Sequence, residues 1–480
     1  MKHLLSISLI LFALALGLFS GCTDSVPSGP EASLGSNTIT KYVAIGNSLT
    51  AGYQSGALYK SAQDYSYPNL IAQQLKVAGA NLGSFEQPIY SNPGNPDATG
   101  KAAQIELISL TGPVIAPRGV AAGSPTNTAL ARPYDNLGIP GIPLLGFLDE
   151  TGVYNGVNSG LGALVLRTTG GFPKSVYKQA QLLNPNLITF WLGANDVLGF
   201  ATTGGTSPST PTDKAIFTAL YTQAFAALRT SFPNAKIVVG NIPDVKAVPF
   251  FTTVGPSILA KTGGAVTLYY QKRGETGVAT GTSKLNESNA PFITLKGMSY
   301  ASFLGVPNGQ FYRDNKFPAL PPGIDTTKPF GAHPQNPWPN ALVLDSDEQT
   351  MATQAVADFN SAIATIAAAN GAIVVDFFSI FNNIKANGYA IAGEIYKADF
   401  VTGALFSLDG VHPSSRGYGI VANEYIKKMN SSFGMTIPYV DISTIPGIPA
   451  PLAKAAPGQF PIIPADAFKS FDWLFKSSIE

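Results

Sequence analysis

The stretch YVAIGNSLTAG, residues 42–52, decides the fold. Its apolar first four residues stop at Gly46, a pattern typical of a buried strand that runs into a tight turn. Open α/β sheets bind their ligands at the carboxyl ends of the strands, and Ser48 falls at such a position. A turn in which Ser or Thr caps a short helix would have a similar sequence, and alone the stretch favours this interpretation. Three later segments reverse that preference.

The composition excludes several classes of function. The chain has 480 residues, of which 45% are hydrophobic, enough for a sizeable core. Only 12% are charged, with a net charge of +1. The sequence has neither a basic face nor a run of charges, so we expect no nucleic-acid partner. The 49 glycines and 37 prolines predict long connecting segments.

The N-terminus is typical of a secretory signal. The short positive segment 1–3 precedes an apolar run from Leu4 to Phe19, so we expect residues 1–21 to be a signal peptide. No second run is long enough to span a membrane. Cys22 is the only cysteine, which excludes disulfides and cysteine catalysis.

The position of Cys22 at a small-residue cleavage site resembles the lipobox of bacterial lipoproteins. In that resemblance Cys22 is the lipidated first residue and residues 22–38 are a linker. The protein would then be anchored in the cell envelope, at the outer membrane or cell surface, with the membrane as its partner. The alternative is an ordinary cleavage site with an incidental cysteine.

The body of the chain alternates strand and helix, from the opening strand to a helix at residues 414–429. Between them, the predicted elements are a helix at 68–78, a helix at 175–183, a strand at 187–192, a helix opened by Thr210-Pro211, a strand at 236–240, a helix opened by a capping box at 346–349, and a strand at 372–376.

Residues 252–340 break this alternation. We interpret them as an insertion in a domain that spans 39–435, and expect their aromatic side chains at the rim of the site. The Pro-rich extension 436–480 is expected to wrap over the body.

The small number of histidines limits where acid–base chemistry can occur. Of the three histidines, His3 belongs to the signal, His333 to the insertion, and His412 follows Asp409 by three residues. A serine nucleophile needs a base within hydrogen-bond reach, and the base needs a third group to fix its tautomer. In a turn, the Asp409 carboxylate can reach Nδ1 of His412 while Nε2 faces a serine. A structural histidine or a helix cap would show the same spacing.

Two further polar segments occur, YDNLGIPG at residues 134–141 and Gly193-Ala194-Asn195-Asp196 after the strand at 187–192. A simple turn would explain the first and helix capping the second. The second segment ends a strand, so Asn195 falls in the same layer as Ser48.

Together the four segments resemble the GDSL (SGNH) hydrolase family in order and context. Asn47 stands where the name-giving motif of that family has Asp, a position that is not the nucleophile. The resemblance covers about residues 41–241 and 345–429, and the insertion and the C-terminal extension lie outside it. It implies an α/β fold, a three-layer α/β/α sandwich with a parallel sheet, flavodoxin-like in class, plus the long insertion.

The resemblance also implies roles for individual residues. Ser48 would be the nucleophile, His412 the general base and acid, and Asp409 the orienting carboxylate. The arrangement differs from that of α/β-hydrolases, whose serine lies in G-x-S-x-G and whose acid is well separated from the histidine.

The oxyanion hole would combine the backbone N–H groups of Ser48 and Gly141 with the side-chain amide of Asn195. A glycine lets the backbone approach the developing charge without a Cβ in the way, and an amide is a neutral donor. Gly138 and Gly94 are alternative candidates for the glycine.

We therefore predict a serine ester hydrolase (esterase or lipase) that acts through an acyl-enzyme without metal or cofactor. Acyl lipids, acetylated glycans and small esters all remain open as substrates. The alternative is a catalytically inactive surface-binding lipoprotein on the same fold. A purely structural envelope lipoprotein has no specific feature in its favour.

Overall fold

The computed structural model of the chain describes residues 31–109, 114–158, 160–391, 393–447 and 462–469. The predicted signal peptide and Cys22 lie outside the described residues. In the described ranges the strands are β1 (Tyr42–Gly46), β2 (Ile105–Ser109), β3 (Val114–Pro117), β4 (Asn136–Gly138), β5 (Leu187–Trp191), β6 (Lys236–Gly240), β7 (Thr267–Tyr270), β8 (Gly281–Lys284), β9 (Phe292–Ile293), β10 (Val343–Leu344), β11 (Ile373–Val375), β12 (Tyr389–Ile391) and β13 (Glu394–Tyr396). The α-helices there are α1 (Ser48–Ala51), α2 (Lys60–Gln63), α3 (Tyr67–Val77), α4 (Gly162–Leu166), α5 (Val176–Leu183), α6 (Asn195–Thr202), α7 (Lys214–Ser231), α8 (Pro249–Thr252), α9 (Val254–Thr262), α10 (Met298–Ala301), α11 (Gln310–Asp314), α12 (Ser346–Ala369), α13 (Phe377–Asn387) and α14 (Ser415–Phe433). None of these helices is both long enough and apolar enough to cross a bilayer.

The central sheet has five strands in the order β11-β6-β5-β1-β4, and all neighbours are parallel. Counted along the chain within this sheet, the order is 2-1-3-4-5, the flavodoxin-like arrangement. The strand order reverses at β1, so the crevice that such sheets use for ligands lies between the carboxyl ends of β1 and β5.

Helices cover both faces of the sheet, which confirms the predicted three-layer sandwich. Successive residues of a strand point to opposite faces. On β5 the Trp191 ring packs against Tyr67 of α3 and Tyr425 of α14. Its neighbour Phe190 packs against Phe225 of α7. The helix α12 packs against α7, so α3 and α14 form one outer layer and α7 and α12 the other.

Two predicted helix starts are wrong by a few residues. The helix expected to open at Thr210-Pro211 begins at Lys214, because Thr212 instead donates its backbone N–H and its Oγ1 hydroxyl to Asp196. Asp213 then caps α7. The capping box of α12 joins Asp345 and Glu348, one residue earlier than predicted, and each side chain accepts the backbone N–H of the other.

The insertion at residues 252–340 contains the helices and strands from α9 to α11, and its aromatic side chains pack against one another. Phe311 packs edge-on against Tyr300 and Tyr312, while Trp338 packs against Phe330. None of the residues that line the groove beside Ser48 comes from 252–340, so the structure does not bring these rings to that groove.

The described parts of the C-terminal extension lie against the body, as expected. The side chains of Ile442 and Ile445 approach Gly419 of α14 closely. Phe468 is buried and packs edge-on against Phe250 of α8.

Candidate active site

The turn after β1 is tight, and its sequence explains why. A Cβ on Gly46 would lie 1.9 Å from Oγ1 of Thr50, so only glycine permits this approach. Asn47 caps α1, with Oδ1 accepting the backbone N–H of Leu49 at 3.0 Å. The capping role predicted for Ser or Thr therefore falls to Asn47, and Ser48 begins the helix with its hydroxyl directed elsewhere.

The structure brings Ser48, His412 and Asp409 into one hydrogen-bonded line. Nε2 of His412 lies 2.8 Å from Oγ of Ser48, and Nδ1 lies 3.1 Å from Oδ2 of Asp409. All three residues are buried. Ser48 and His412 are 364 positions apart in the sequence, whereas Asp409 and His412 are three positions apart. A base that links a hydroxyl and a carboxylate in this way can accept the hydroxyl proton.

The Asp409 carboxylate accepts several hydrogen bonds. Oδ1 accepts the backbone N–H groups of Val411 and His412 at 3.0 and 2.9 Å, and Oδ2 accepts that of Gly56 at 3.2 Å. Burial alone would raise the pKa of Asp409, but the nearby His412 and these hydrogen bonds lower it below its usual value. The group is therefore ionised and can hold the imidazole in one tautomer.

The Asp409 loop is fixed against the turn after α1 by contacts that the sequence did not reveal. Ser55 donates its backbone N–H to Oγ of Ser407 at 3.0 Å, and Leu408 donates its N–H to Oγ of Ser55 at 3.2 Å. The Tyr53 ring also lies against the His412 imidazole, with centroids 4.9 Å apart. No local pattern marks these serines, because each pair is more than 350 residues apart in the chain.

Asn195 and Asp196 begin α6 and together hold the segment that follows Gly141. Nδ2 of Asn195 donates to the carbonyl oxygen of Ile142 at 2.9 Å, and Oδ2 of Asp196 accepts the N–H of Leu144 at 2.8 Å. Neither caps the helix, since Ala194 occupies the cap position without a side-chain bond. The amide of Asn195 keeps a second N–H for another acceptor.

Hydrogen bonding separates the three candidate glycines. Gly138 donates its N–H to Oδ1 of Asn136 at 2.9 Å, and Gly94 donates its N–H to the carbonyl oxygen of Ser91 at 2.9 Å. Within the described residues the N–H of Gly141 donates no hydrogen bond. Its φ of 83° lies in the left-handed region, which favours glycine. Gly141 is thus the candidate with an N–H left to offer.

Asp196 has a different electrostatic environment from Asp409. Its carboxylate accepts the hydroxyl of Thr212 at 3.1 Å in addition to the N–H of Leu144, and it forms no ion pair with the described residues. Burial raises the pKa of Asp196 to about 6, although these hydrogen bonds partly offset the effect.

An apolar groove opens beside the hydrogen-bonded line and encloses about 950 Å³, solvent at its mouth included. Ser48, Asn195 and His412 lie together in its lining. Its remaining walls come almost entirely from apolar side chains, and none comes from residues 252–340. Among the described residues, no group of three His, Cys, Asp or Glu side chains is arranged to hold a metal ion.

Comparisons with known proteins relate most of the chain to one family. The sequence model of the GDSL-like lipase/acylhydrolase family matches residues 42–425, a range that contains Ser48, Gly141, Asn195, Asp409 and His412. No curated protein matches the chain.

Three solved structures are similar to the chain at low sequence identity. A lipase/acylhydrolase from Enterococcus faecalis is 11% identical, with 84% of this chain and 100% of that chain covered and a TM-score of 0.30. An extracellular lipase from Streptomyces rimosus is 14% identical, with coverages of 82% and 99% and a TM-score of 0.33. An acetyl xylan esterase is 14% identical, with coverages of 81% and 98% and a TM-score of 0.30.

Proposed function

Because the chain belongs to the GDSL-like lipase/acylhydrolase family, we propose that it is a serine ester hydrolase that acts through an acyl-enzyme. Family membership supports an ester hydrolase, and the proposal adds the residues and the mechanism. The observation that carries it is the line from Oγ of Ser48 through the His412 imidazole to the Asp409 carboxylate. Such a line is what a hydroxyl needs to become a nucleophile at neutral pH.

In the acylation step Nε2 of His412 takes the proton from Oγ of Ser48 as that oxygen attacks the ester carbonyl carbon. Asp409 accepts the Nδ1–H of the imidazole and stabilises the imidazolium that forms. The tetrahedral intermediate then collapses, and the bond to the leaving alkoxide breaks. The alkoxide takes the proton from Nε2 and departs as the alcohol, which leaves the acyl group on Ser48.

Deacylation repeats the same chemistry with water. His412 takes a proton from a water molecule while the water oxygen attacks the acyl carbon. The second tetrahedral intermediate collapses, Oγ of Ser48 recovers the proton from Nε2, and the carboxylic acid leaves.

Both tetrahedral intermediates carry a negative oxygen, for which we assign three donors. These are the backbone N–H groups of Ser48 and Gly141 and the second N–H of the Asn195 amide. The support for Gly141 is its N–H, which donates no hydrogen bond within the described part of the chain, and the two hydrogen bonds through which Asn195 and Asp196 hold the adjacent segment. Donors fixed in advance stabilise developing charge without reorganising during the reaction.

Hydrolysis of p-nitrophenyl acetate and decanoate by purified variants tests the proposal. We expect Ser48→Ala and His412→Ala to fall to the uncatalysed background, while His333→Ala, which removes the other described histidine, retains wild-type rates. Retained activity in His412→Ala would contradict the proposal. A folded wild-type protein that hydrolyses neither ester would favour the inactive binding protein instead.

We also propose that Cys22 carries a lipid anchor that holds the enzyme in the cell envelope. The support is the solitary thiol at a small-residue cleavage site, and stable anchoring needs more than one acyl chain. Mass spectrometry of the N-terminal peptide from membranes is expected to find a diacyl- or triacyl-glyceryl cysteine. A mature protein that starts at another residue would contradict this.

A further inference from the structure

One wall of the apolar groove is the helix α13, which the sequence analysis did not predict. Phe377, Ile380, Phe381 and Ile384 line the groove from this helix. Their spacing places them on one helix face, which a surface helix normally buries against the core. Here Ile380 and Phe381 are only partly buried, so this face borders open space.

The opposite wall is the helix α14, with the same spacing. Gly417, Ile420, Val421 and Glu424 line the groove from one face of this helix. Gly417 lies near the start of the helix, close in sequence to His412, and Glu424 lies seven residues further on. At 1.5 Å per residue, the wall extends about 10 Å away from the site.

The far end of this wall is polar. Glu424 accepts the hydroxyl of Tyr389 at 2.7 Å and lies 3.9 Å from Nζ of Lys427. Its side chain is only 9% exposed. Between this carboxylate and Ser48, the two helix faces offer only apolar side chains and Gly417 to an occupant.

The sheet gives an independent estimate of length. The groove is lined by residues that follow the carboxyl ends of four adjacent strands, from Ser48 after β1 to Phe377 after β11. Three spacings of about 4.8 Å separate these strands, or about 14 Å in all. An alkyl zigzag with bonds of about 1.5 Å would fill 10 to 14 Å with roughly eight to eleven carbons.

From these observations we infer that the substrate is an ester of an unbranched acyl chain of roughly eight to eleven carbons, held between α13 and α14. This inference rests on the proposed function and adds its substrate class. A sugar in the groove would leave its hydroxyl groups without partners, at a cost that an alkyl chain avoids. Glu424 limits the length, because a longer chain would bring methylene groups against a carboxylate.

A series of p-nitrophenyl esters from acetate to palmitate tests the inference. We expect kcat/KM to rise about two- to fourfold with each added methylene up to about ten carbons and then to fall. A profile that is flat or highest for acetate would overturn the inference while leaving the esterase intact. A preference for decyl acetate over methyl decanoate would also overturn it, since the groove would then hold the alcohol.

Variants that fill the groove give the second arm. Ile380→Trp and Val421→Trp each project into the groove, from α13 and from α14, and we expect each to lower kcat/KM for decanoate at least about 30-fold more than kcat/KM for acetate. Ala386→Trp places the same side chain on the exposed face of α13 and serves as the matched control. Equal losses for acetate and decanoate in both groove variants would contradict the inference.

A variant that gains activity on longer chains distinguishes a specific effect on the groove from a general loss of activity. We expect Glu424→Leu to move the optimum to longer chains, because the polar end is replaced by an apolar one; an unchanged optimum counts against the inference.

Binding of decanoate to Ser48→Ala, measured by calorimetry, tests the groove without turnover. If no ester is hydrolysed but decanoate binds and Val421→Trp abolishes binding, the groove assignment stands and the proposed function fails. No binding would overturn the groove assignment.

Discussion

Asp409 and Asp196 are both buried beside the same groove, yet their pKa values shift in opposite directions. Asp409 accepts three backbone N–H groups and faces the His412 imidazole, and its pKa is lowered. Asp196 accepts one backbone N–H and one hydroxyl, with no ion pair among the described residues, and its pKa is raised to about 6. Burial is common to both, so the number and charge of the partners decide the direction.

The difference assigns the two carboxylates to different tasks. A carboxylate that stays ionised can orient an imidazole and stabilise its charged form, which suits Asp409. A carboxylate with two neutral donors holds backbone in place, which suits Asp196 and the segment after Gly141. The two tasks predict effects of different size and kind.

The largest effect is expected from Asp409→Asn. An amide in this position can hold the imidazole in the wrong tautomer, so we expect kcat to fall about 10⁴-fold with the fold retained. Asp196→Asn is the matched control, and we expect kcat to change by less than about tenfold, because the amide oxygen can accept the N–H of Leu144 while the amide NH2 donates to the hydroxyl oxygen of Thr212. Steady-state kinetics with circular dichroism checks both variants. Equal losses in the two would break the distinction between the carboxylates.

A smaller effect is expected at Asn195, because this residue both serves as an oxyanion donor and helps to hold the segment after Gly141. Asn195→Ala removes an oxyanion donor and one of the bonds that hold the segment after Gly141. We expect kcat to fall about 10²- to 10³-fold. Because the donor acts in the transition state, KM is expected to change little, and a loss confined to KM would contradict the assignment.

The pH dependence of stability isolates Asp196. A carboxyl whose pKa is raised on folding contributes stability below its unfolded pKa, near 4, and loses it as the pH rises through the folded value of about 6. We therefore expect the unfolding free energy of wild type, relative to Asp196→Asn, to fall by roughly 2 kcal/mol between pH 4 and pH 7. Urea unfolding at several pH values measures this difference. If the unfolding free energies of wild type and Asp196→Asn changed in parallel with pH, the pKa of Asp196 would not be raised in the folded protein, which would contradict this prediction.

The smallest effect is expected from Thr212→Val. This change removes the hydroxyl that Asp196 accepts, so ionised Asp196 loses a donor. We expect a destabilisation of about 1 kcal/mol at pH 8 that shrinks below pH 6, where Asp196 is protonated. The same urea titrations detect it. A constant loss at all pH values would assign the effect to packing.

The candidate site was predictable where its contacts are local or follow from strand ends. Asp409 and His412 are three residues apart, and Ser48 and Asn195 each follow an apolar strand that ends at the same edge of a parallel sheet. The parallel sheet of the three-layer sandwich was implied by the family resemblance that these segments carry. These features depend on short windows of sequence.

Features that depend on distant residues were missed. The Ser55–Ser407 contacts join segments that no local pattern relates. The start of α7 was placed too early because Thr212 is held by Asp196, a tertiary contact that overrides its local helix signal. The apolar spacing of α13 was present in the sequence, but the open space beside it appears only when α14 is placed opposite.

The most direct test of the central claim is covalent labelling with a fluorophosphonate probe, followed by mass spectrometry of the labelled peptide. The probe reacts with a serine whose proton is removed by a base, and its phosphoryl oxygen occupies an oxyanion hole. We predict one adduct, on Ser48, and no adduct in Ser48→Ala or His412→Ala. Folded wild-type protein without an adduct on Ser48 would contradict the account.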